Sequence, residues 1–78
     1  MDIVLFPVQS SQISAVGFGK EKDEDTAGVM EVQFTSGKRW RYFGVPQLVY
    51  QEMVSASSVG AYFNRAIRSK FPGEQVAS

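Results

Sequence analysis

The sequence of 78 residues contains neither cysteine nor histidine. Without cysteine the chain has no disulfide and no thiolate nucleophile, and without histidine it lacks the commonest catalytic base and metal ligand. Each serine would need a lysine or carboxylate base at close range to act as a nucleophile, and no spacing in the chain suggests one. We therefore expect a domain that is not an enzyme and that needs no metal or other cofactor.

Long hydrophobic runs are also missing. The longest one, residues 3–8, is far shorter than the roughly 20 residues of a membrane-spanning helix, and it contains a proline. Asp2 precedes this run, whereas a secretory signal would place positive charge there. These features predict a cytoplasmic protein that does not contact a membrane.

The chain has no excess of charge of either sign, since eight basic and eight acidic residues cancel. Proteins that bind polyanions indiscriminately usually carry a strong positive excess. The charges are nevertheless unevenly distributed. Residues 1–35 hold two basic and six acidic side chains, a net charge of −4, and residues 36–78 hold six basic and two acidic side chains, a net charge of +4. The folded molecule could thus carry negative charge on one side and positive charge on the other.

The length predicts a single domain over residues 1–78. A chain of this size buries only about 60% of the surface that its unfolded form exposes, so nearly every large apolar side chain is needed in the core. We expect residues 1–7 to form an N-terminal arm or an extra strand. Residues 72–78 follow the last apolar segment and are predicted to form a flexible tail.

Three segments have the pattern of strands. Residues 12–18 are rich in β-branched side chains and end at a glycine, and residues 29–34 alternate between apolar and polar side chains. The third strand begins at residue 38, after a three-residue hairpin loop that ends in Gly37. Residues 20–27 form a charged connector between the first two strands. Their consecutive acidic side chains lack the spacing of a calcium-binding loop.

The hairpin loop sets which side chains face the core. It places Trp40 opposite Val32 and directs Tyr42 to the same apolar face, so we expect Trp40 to be largely buried. On the other face Arg41 lies opposite Glu31, an exposed pair worth at most about 1 kcal/mol. A loop one residue longer would turn both rings outward, because strand side chains alternate with a period of two.

Two helices follow the strands. The first begins with Pro46 at its first position, and the second covers residues 59–71 after a cap by Ser57 or Ser58. The apolar side chains of the second helix recur at helical spacing and form one stripe: Val59, Phe63, Ala66 and Ile67. The predicted fold is α+β, a three-stranded antiparallel β-meander followed by two short α-helices packed on one face of the sheet.

Taken in order, five segments resemble the KTSC domain, a family named for its place at the C-terminus of some lysyl-tRNA synthetases. They are VQSSQISAVGF (8–18), MEVQF (30–34), WRY (40–42), VPQLVY (45–50) and ASSVGAYFN (56–64). Trp40 stands where the family has the first tyrosine of a Tyr-x-Tyr motif. The resemblance implies a β-meander followed by helices, found in small bacterial and phage proteins, with no established activity and a suggested role in RNA binding.

These observations favour a small non-catalytic binding domain whose partner is single-stranded RNA or tRNA. Arginine and lysine side chains contact phosphate, and exposed aromatic rings stack on unpaired bases. The candidate binding residues are Lys38, Arg39 and Arg41 on the hairpin and Arg65, Arg68 and Lys70 on the last helix. Two alternatives stay open. The basic side chains could simply solvate exposed faces, or the domain could bind a host or bacterial protein, for instance as a phage-type accessory protein that modulates a host enzyme.

Overall fold

The computed structural model describes residues 2–76 as one antiparallel sheet with two helices packed against it. Within this range the sheet has five strands, which lie side by side in chain order. The elements are β1 (Phe6–Pro7), β2 (Ile13–Gly19), β3 (Ala27–Phe34), β4 (Arg39–Pro46), α1 (Gln47–Ser55), α2 (Val59–Ala66) and β5 (Gly73–Gln75). The α+β class and the two helices agree with the sequence-based prediction, but the predicted number of three strands is wrong.

The two additional strands lie at the edges of the sheet. β1 pairs with β2 and belongs to the segment predicted as an arm or an extra strand. β5 pairs with β4, where Gly73 lies opposite Tyr42 and the Val76 N–H donates to the Arg39 carbonyl at 2.9 Å. The tail predicted over residues 72–78 therefore contains a strand, and residues 77 and 78 lie outside the described range. β5 escaped prediction because its side chains are all exposed and its backbone alone pairs with the sheet.

The hairpin of β3 and β4 has the predicted register. Trp40 lies opposite Val32, and Tyr42 lies opposite Met30. Gly37 closes the three-residue loop with a φ of 94°, and its N–H donates to the Phe34 carbonyl at 2.9 Å. The side chains of Trp40 and Tyr42 therefore share the sheet face that packs against the helices.

Both helices begin near the predicted residues. Pro46 is the N-cap of α1 rather than its first residue, and the Ser58 hydroxyl caps α2 by accepting the Ala61 N–H at 3.2 Å. α2 ends at Ala66 instead of continuing to residue 71. After it the N–H groups of Ile67 and Arg68 both donate to the Phe63 carbonyl at 3.0 Å, and the chain turns toward β5. This turn keeps Ile67 in the core, where it is fully buried.

The core lies between the sheet and the helices, and Phe63 of α2 is fully buried in it. Its ring meets Phe34 and Tyr42 edge-on, with ring centroids 5.6 and 5.4 Å apart. Within residues 2–76 neither helix has the length and apolar character needed to cross a membrane.

The N-terminal segment crosses the other face of the sheet. Ile3 and the backbone of Val4 approach Gly17 so closely that a side chain on this residue would collide with them. Gly17 lies opposite Glu31 in the sheet, so the segment passes beside this carboxylate. Each sheet face is thus at least partly covered, one by the helices and the other by the N-terminal segment.

Candidate functional site

A concavity of about 640 Å³ opens between the hairpin, the end of α2 and β5. We call it the aromatic groove. The rings of Phe34, Trp40 and Tyr42 line it, together with the polar side chains of Gln12, Thr35, Ser36, Asn64 and Arg68 and with Gly73. The groove is open to solvent and combines aromatic rings with polar groups.

The three rings of the groove are held by packing. Trp40 and Tyr42 stack with ring centroids 6.4 Å apart and an interplanar angle of 22°. Tyr42 and Phe34 also contact the buried Phe63. Trp40 itself packs against the core with most of its surface covered, as expected, and only part of the ring is exposed. The indole supports the core on one side and borders the open groove on the other.

Arg68 brings a positive charge to this groove. Its Nη1 donates to Asn64 Oδ1 at 3.5 Å, and its charge acts on the hydroxyl of Tyr42. Burial raises the pKa of Tyr42, and Arg68 opposes this rise in pKa, so the phenol is neutral near pH 7. Among residues 2–76 no carboxylate pairs with Arg68. The guanidinium is therefore available to an external anion.

The two hairpin arginines lie on the opposite face of the sheet. Arg41 Nε is 2.7 Å from Glu31 Oε1, and Arg39 Nη1 is 3.4 Å from Glu31 Oε2. Glu31 is only 2% exposed, so the expectation of an exposed pair with Arg41 is wrong. The N-terminal segment and the two arginines leave this carboxylate little access to solvent. The fold therefore separates Arg39 and Arg41 from the aromatic groove and ties both to one carboxylate.

The other predicted cations lie on the helix side or at the hairpin end. Arg65 is 5.2 Å from the ring centroid of Tyr62, outside the groove lining. Lys70 is exposed in the turn after α2. Lys38 is exposed at the end of the hairpin loop, just before β4. Of the six predicted binding residues, Arg68 lines the groove and the other five do not, so the structure does not bring all six together.

Sequence reasoning missed the groove itself. Trp40 and Tyr42 were expected to serve the core, and Asn64 was not among the predicted binding residues. The WRY segment was the available signal, because it occupies the position of the family's Tyr-x-Tyr motif. The sequence pattern does not show that the end of α2 and β5 lie beside the hairpin. This arrangement makes the rings of Trp40 and Tyr42 line a groove as well as support the core.

The family model described as "KTSC domain" matches residues 9–71, which include the groove residues from Gln12 to Arg68. The chain belongs to the KTSC domain family. This KTSC domain is similar to a solved one, the crystal structure of a KTSC domain protein from Yersinia pestis. The two share 32% sequence identity with a TM-score of 0.83, over 97% of this chain and 100% of the other.

Curated relatives include both a larger enzyme and a small protein. A lysine–tRNA ligase from Trichormus variabilis is 36% identical over 77 residues, which cover 97% of this chain. The chain spans only 13% of that ligase's length. An uncharacterized protein from Stutzerimonas stutzeri is 34% identical over 61 residues, covering 78% of this chain and 79% of the relative. The KTSC domain thus resembles a segment of the ligase and most of a small protein.

Proposed function

We propose that this KTSC domain is a non-catalytic binding domain for single-stranded RNA and that the aromatic groove is its binding site. The main support is that three aromatic rings and Arg68 line the same concavity. An unpaired base stacks on an aromatic ring, and a guanidinium pairs with the adjacent phosphate. Duplex RNA would hide its bases from these rings, so a single strand is the preferred ligand.

The relatives support RNA as the ligand class. Three lysine–tRNA ligases, enzymes whose name specifies a tRNA, contain a segment similar to nearly the whole of this chain. A segment that binds a single-stranded part of tRNA would suit such an enzyme. The same groove on a small protein would bind unpaired RNA without the ligase. Arg39 and Arg41 have a secondary role in this proposal, because both are paired with Glu31 on the other face.

The test uses Trp40 as its own reporter, because it is the single tryptophan of the chain. Titration with a short single-stranded RNA should quench its fluorescence, and the matching duplex should do so much less. Arg68→Ala should weaken binding about tenfold, the equivalent of about 1.4 kcal/mol. It should also reduce the salt dependence by about 0.7 in logarithmic slope, the value of one single-strand phosphate contact.

Arg65→Ala is the matched control, since Arg65 belongs to the same helical region but lies over Tyr62 outside the groove. It should bind RNA nearly as well as the unmodified chain. The proposal is wrong if single-stranded RNA leaves the fluorescence of Trp40 unchanged at low salt. It is also wrong if Arg68→Ala and Arg65→Ala weaken binding equally, a result typical of diffuse attraction. A protein partner would then be the better account of the groove.

A further inference from the structure

The side chains of Gln12 and Asn64 lie side by side at the edge of the aromatic groove. Gln12 Nε2 donates to the Gly60 carbonyl at 3.3 Å. In an α-helix this carbonyl also faces the N–H of residue 64, one turn later. Both side chains line the groove and a smaller polar cavity next to it, so they form the ridge between the two. We call Gln12 and Asn64 the amide pair.

The partners of the two amides determine which polar atom of each remains without a partner. A carbonyl only accepts, so the Gly60 carbonyl holds Gln12 Nε2 and leaves Gln12 Oε1 as an acceptor. A guanidinium only donates, so Arg68 Nη1 holds Asn64 Oδ1 at 3.5 Å and leaves Asn64 Nδ2 as a donor. Within residues 2–76 neither remaining atom has a hydrogen bond.

Gln12 is held in this position by close packing. A Cβ at Gly60 would lie 3.0 Å from Gln12 Nε2 and 3.2 Å from Gln12 Cγ, so the side chain lies directly against the backbone of α2. The Gln12 carbonyl accepts the Thr35 N–H at 2.9 Å, which ties its backbone to the hairpin loop. In the described part of the chain no buried side-chain N or O atom lacks a partner, so the unpartnered Oε1 is open to solvent.

The aromatic rings of the groove lie next to the amide pair. Phe34 is directly beside it, because Phe34 lies opposite Ile13, the residue after Gln12. Trp40 lines the same groove from β4, the next strand across the sheet. A planar base that stacks on these rings therefore has an edge within reach of the two amides.

We infer that the amide pair binds the Watson–Crick edge of the unpaired base that stacks in the groove. Each of the four bases has a donor beside an acceptor on this edge. The donor, an amino group or a ring N–H, binds Gln12 Oε1, and the acceptor, a ring nitrogen or a carbonyl oxygen, binds Asn64 Nδ2. Base pairing occupies the same groups, so a paired base is rejected whatever its identity. This inference rests on the proposed function and names the part of the ligand that the groove recognises.

A methyl group on the base tests this edge without altering the phosphates. Hexamers of uridine and of N3-methyluridine are titrated separately, each with an end label whose fluorescence anisotropy reports binding. The methyl group keeps the ring and the charge of the strand but replaces the N3–H that Gln12 would accept. The methylated hexamer should bind at least about tenfold more weakly, the equivalent of about 1.4 kcal/mol. The reason is that one hydrogen bond is lost and its acceptor is left unpaired.

Two variants assign the effect to the amide pair. Asn64→Leu and Gln12→Met each remove the polar atoms of one amide at similar side-chain size, and Asn64 is exposed, so its replacement should leave the fold intact. Each variant should bind the uridine hexamer about tenfold more weakly and should bind both hexamers nearly equally. Gln9→Met is the matched control, because Gln9 is exposed and lines the neighbouring cavity but not the groove. It should keep the full preference for the unmethylated hexamer.

Two results would overturn the inference. In one, the methylated hexamer binds the unmodified chain as tightly as the uridine hexamer does. In the other, Asn64→Leu and Gln12→Met weaken both hexamers by the same factor, as a purely structural role of the amides would. Either result leaves the proposed function intact if single-stranded RNA still quenches Trp40 in a manner that depends on Arg68. If neither hexamer binds at low salt and Trp40 is not quenched, the inference and the proposed function fail together.

Discussion

At the scale of single residues, Glu31 is the least ordinary side chain of the fold. It is a buried carboxylate that accepts from both Arg39 and Arg41, whose side chains remain 39% and 29% exposed. A buried charge is tolerated only when its partners replace the lost water. The hairpin pattern predicts that Arg41 lies opposite Glu31. It does not predict that Glu31 is buried, because the N-terminal segment that crosses this face of the sheet comes from elsewhere in the chain.

Glu31→Gln should destabilise the fold. The substitution keeps the volume of the side chain but removes the charge that both guanidiniums bind. We expect the free energy of unfolding to fall by about 1 to 3 kcal/mol, less than for a fully buried pair because both arginines reach water. A domain of this length is expected to have a total free energy of unfolding of about 4 to 12 kcal/mol, so this loss would be a substantial part of it. Urea denaturation would measure it.

Glu52→Gln is the control for Glu31→Gln. Glu52 is exposed and accepts a hydrogen bond from the Tyr62 hydroxyl at 3.3 Å. Its substitution should change the free energy of unfolding by less than about 0.5 kcal/mol. Equal effects of the two substitutions would show that the buried position of Glu31 adds nothing to stability.

Among the helices and strands, those set by contacts between nearby residues were predicted, and those set by contacts between distant residues were not. The hairpin of β3 and β4 was predicted correctly because its loop and its alternation are local features. The second helix was predicted too long, since no glycine or proline occurs before residue 72 to mark its end at Ala66. β1 has two residues and was predicted only as an arm or an extra strand. β5 has three exposed residues and pairs with a strand about 30 residues away, so no local pattern indicates it.

β5 contacts the wall of the groove at Gly73, which lies against the ring of Tyr42. A Cβ at Gly73 would lie 2.6 Å from Cε1 of Tyr42. This ring is held by Trp40 and Phe63 and cannot easily move aside. Gly73→Ala should therefore weaken the pairing of β5 with β4 by about 1 to 3 kcal/mol, the usual cost of overpacking. Hydrogen exchange at the Val76 amide, which donates to the Arg39 carbonyl, reports this pairing directly.

Gln75→Ala serves as the matched substitution in the same strand. Gln75 is exposed and already carries a Cβ, so its truncation should leave the protection of the Val76 amide nearly unchanged. Undiminished protection in Gly73→Ala would show that Tyr42 yields to the new methyl group. β5 would then be less closely fitted to the groove than the contact implies.

At the scale of the whole molecule, the charge separation of the sequence is partly undone by folding. Glu31 comes from the acidic half of the chain, and the two arginines that it pairs with come from the basic half. Among the described residues the basic side chain that lines the groove is Arg68, which is fewer cations than the linear pattern suggests. The sequence therefore predicted binding by basic side chains, but only the fold distinguishes paired cations from unpaired ones.

The whole molecule also has a definite expected response to pH. The chain has no histidine, so no side chain has its ordinary pKa between about 6 and 8, and stability should change little from about pH 6 to 9. Burial raises the pKa of both Tyr42 and Tyr50 above the ordinary value of 10.0. The folded state thus holds these protons more tightly than the unfolded state does. The resulting stability is fully present below pH 10 and is lost as the pH rises through the folded-state values.

Urea denaturation across alkaline pH would check this expectation with two single variants. The free energy of unfolding should decline above about pH 10. Tyr42→Phe and Tyr50→Phe should each make the decline shallower, because each removes one phenol whose proton the fold retains. Deprotonation of the lysines affects all three proteins and so cancels in the comparison. Equal slopes above pH 10 in the unmodified chain and both variants would mean that burial does not perturb these phenols. A steep change between pH 6 and 9 would require a titrating side chain that the sequence does not supply.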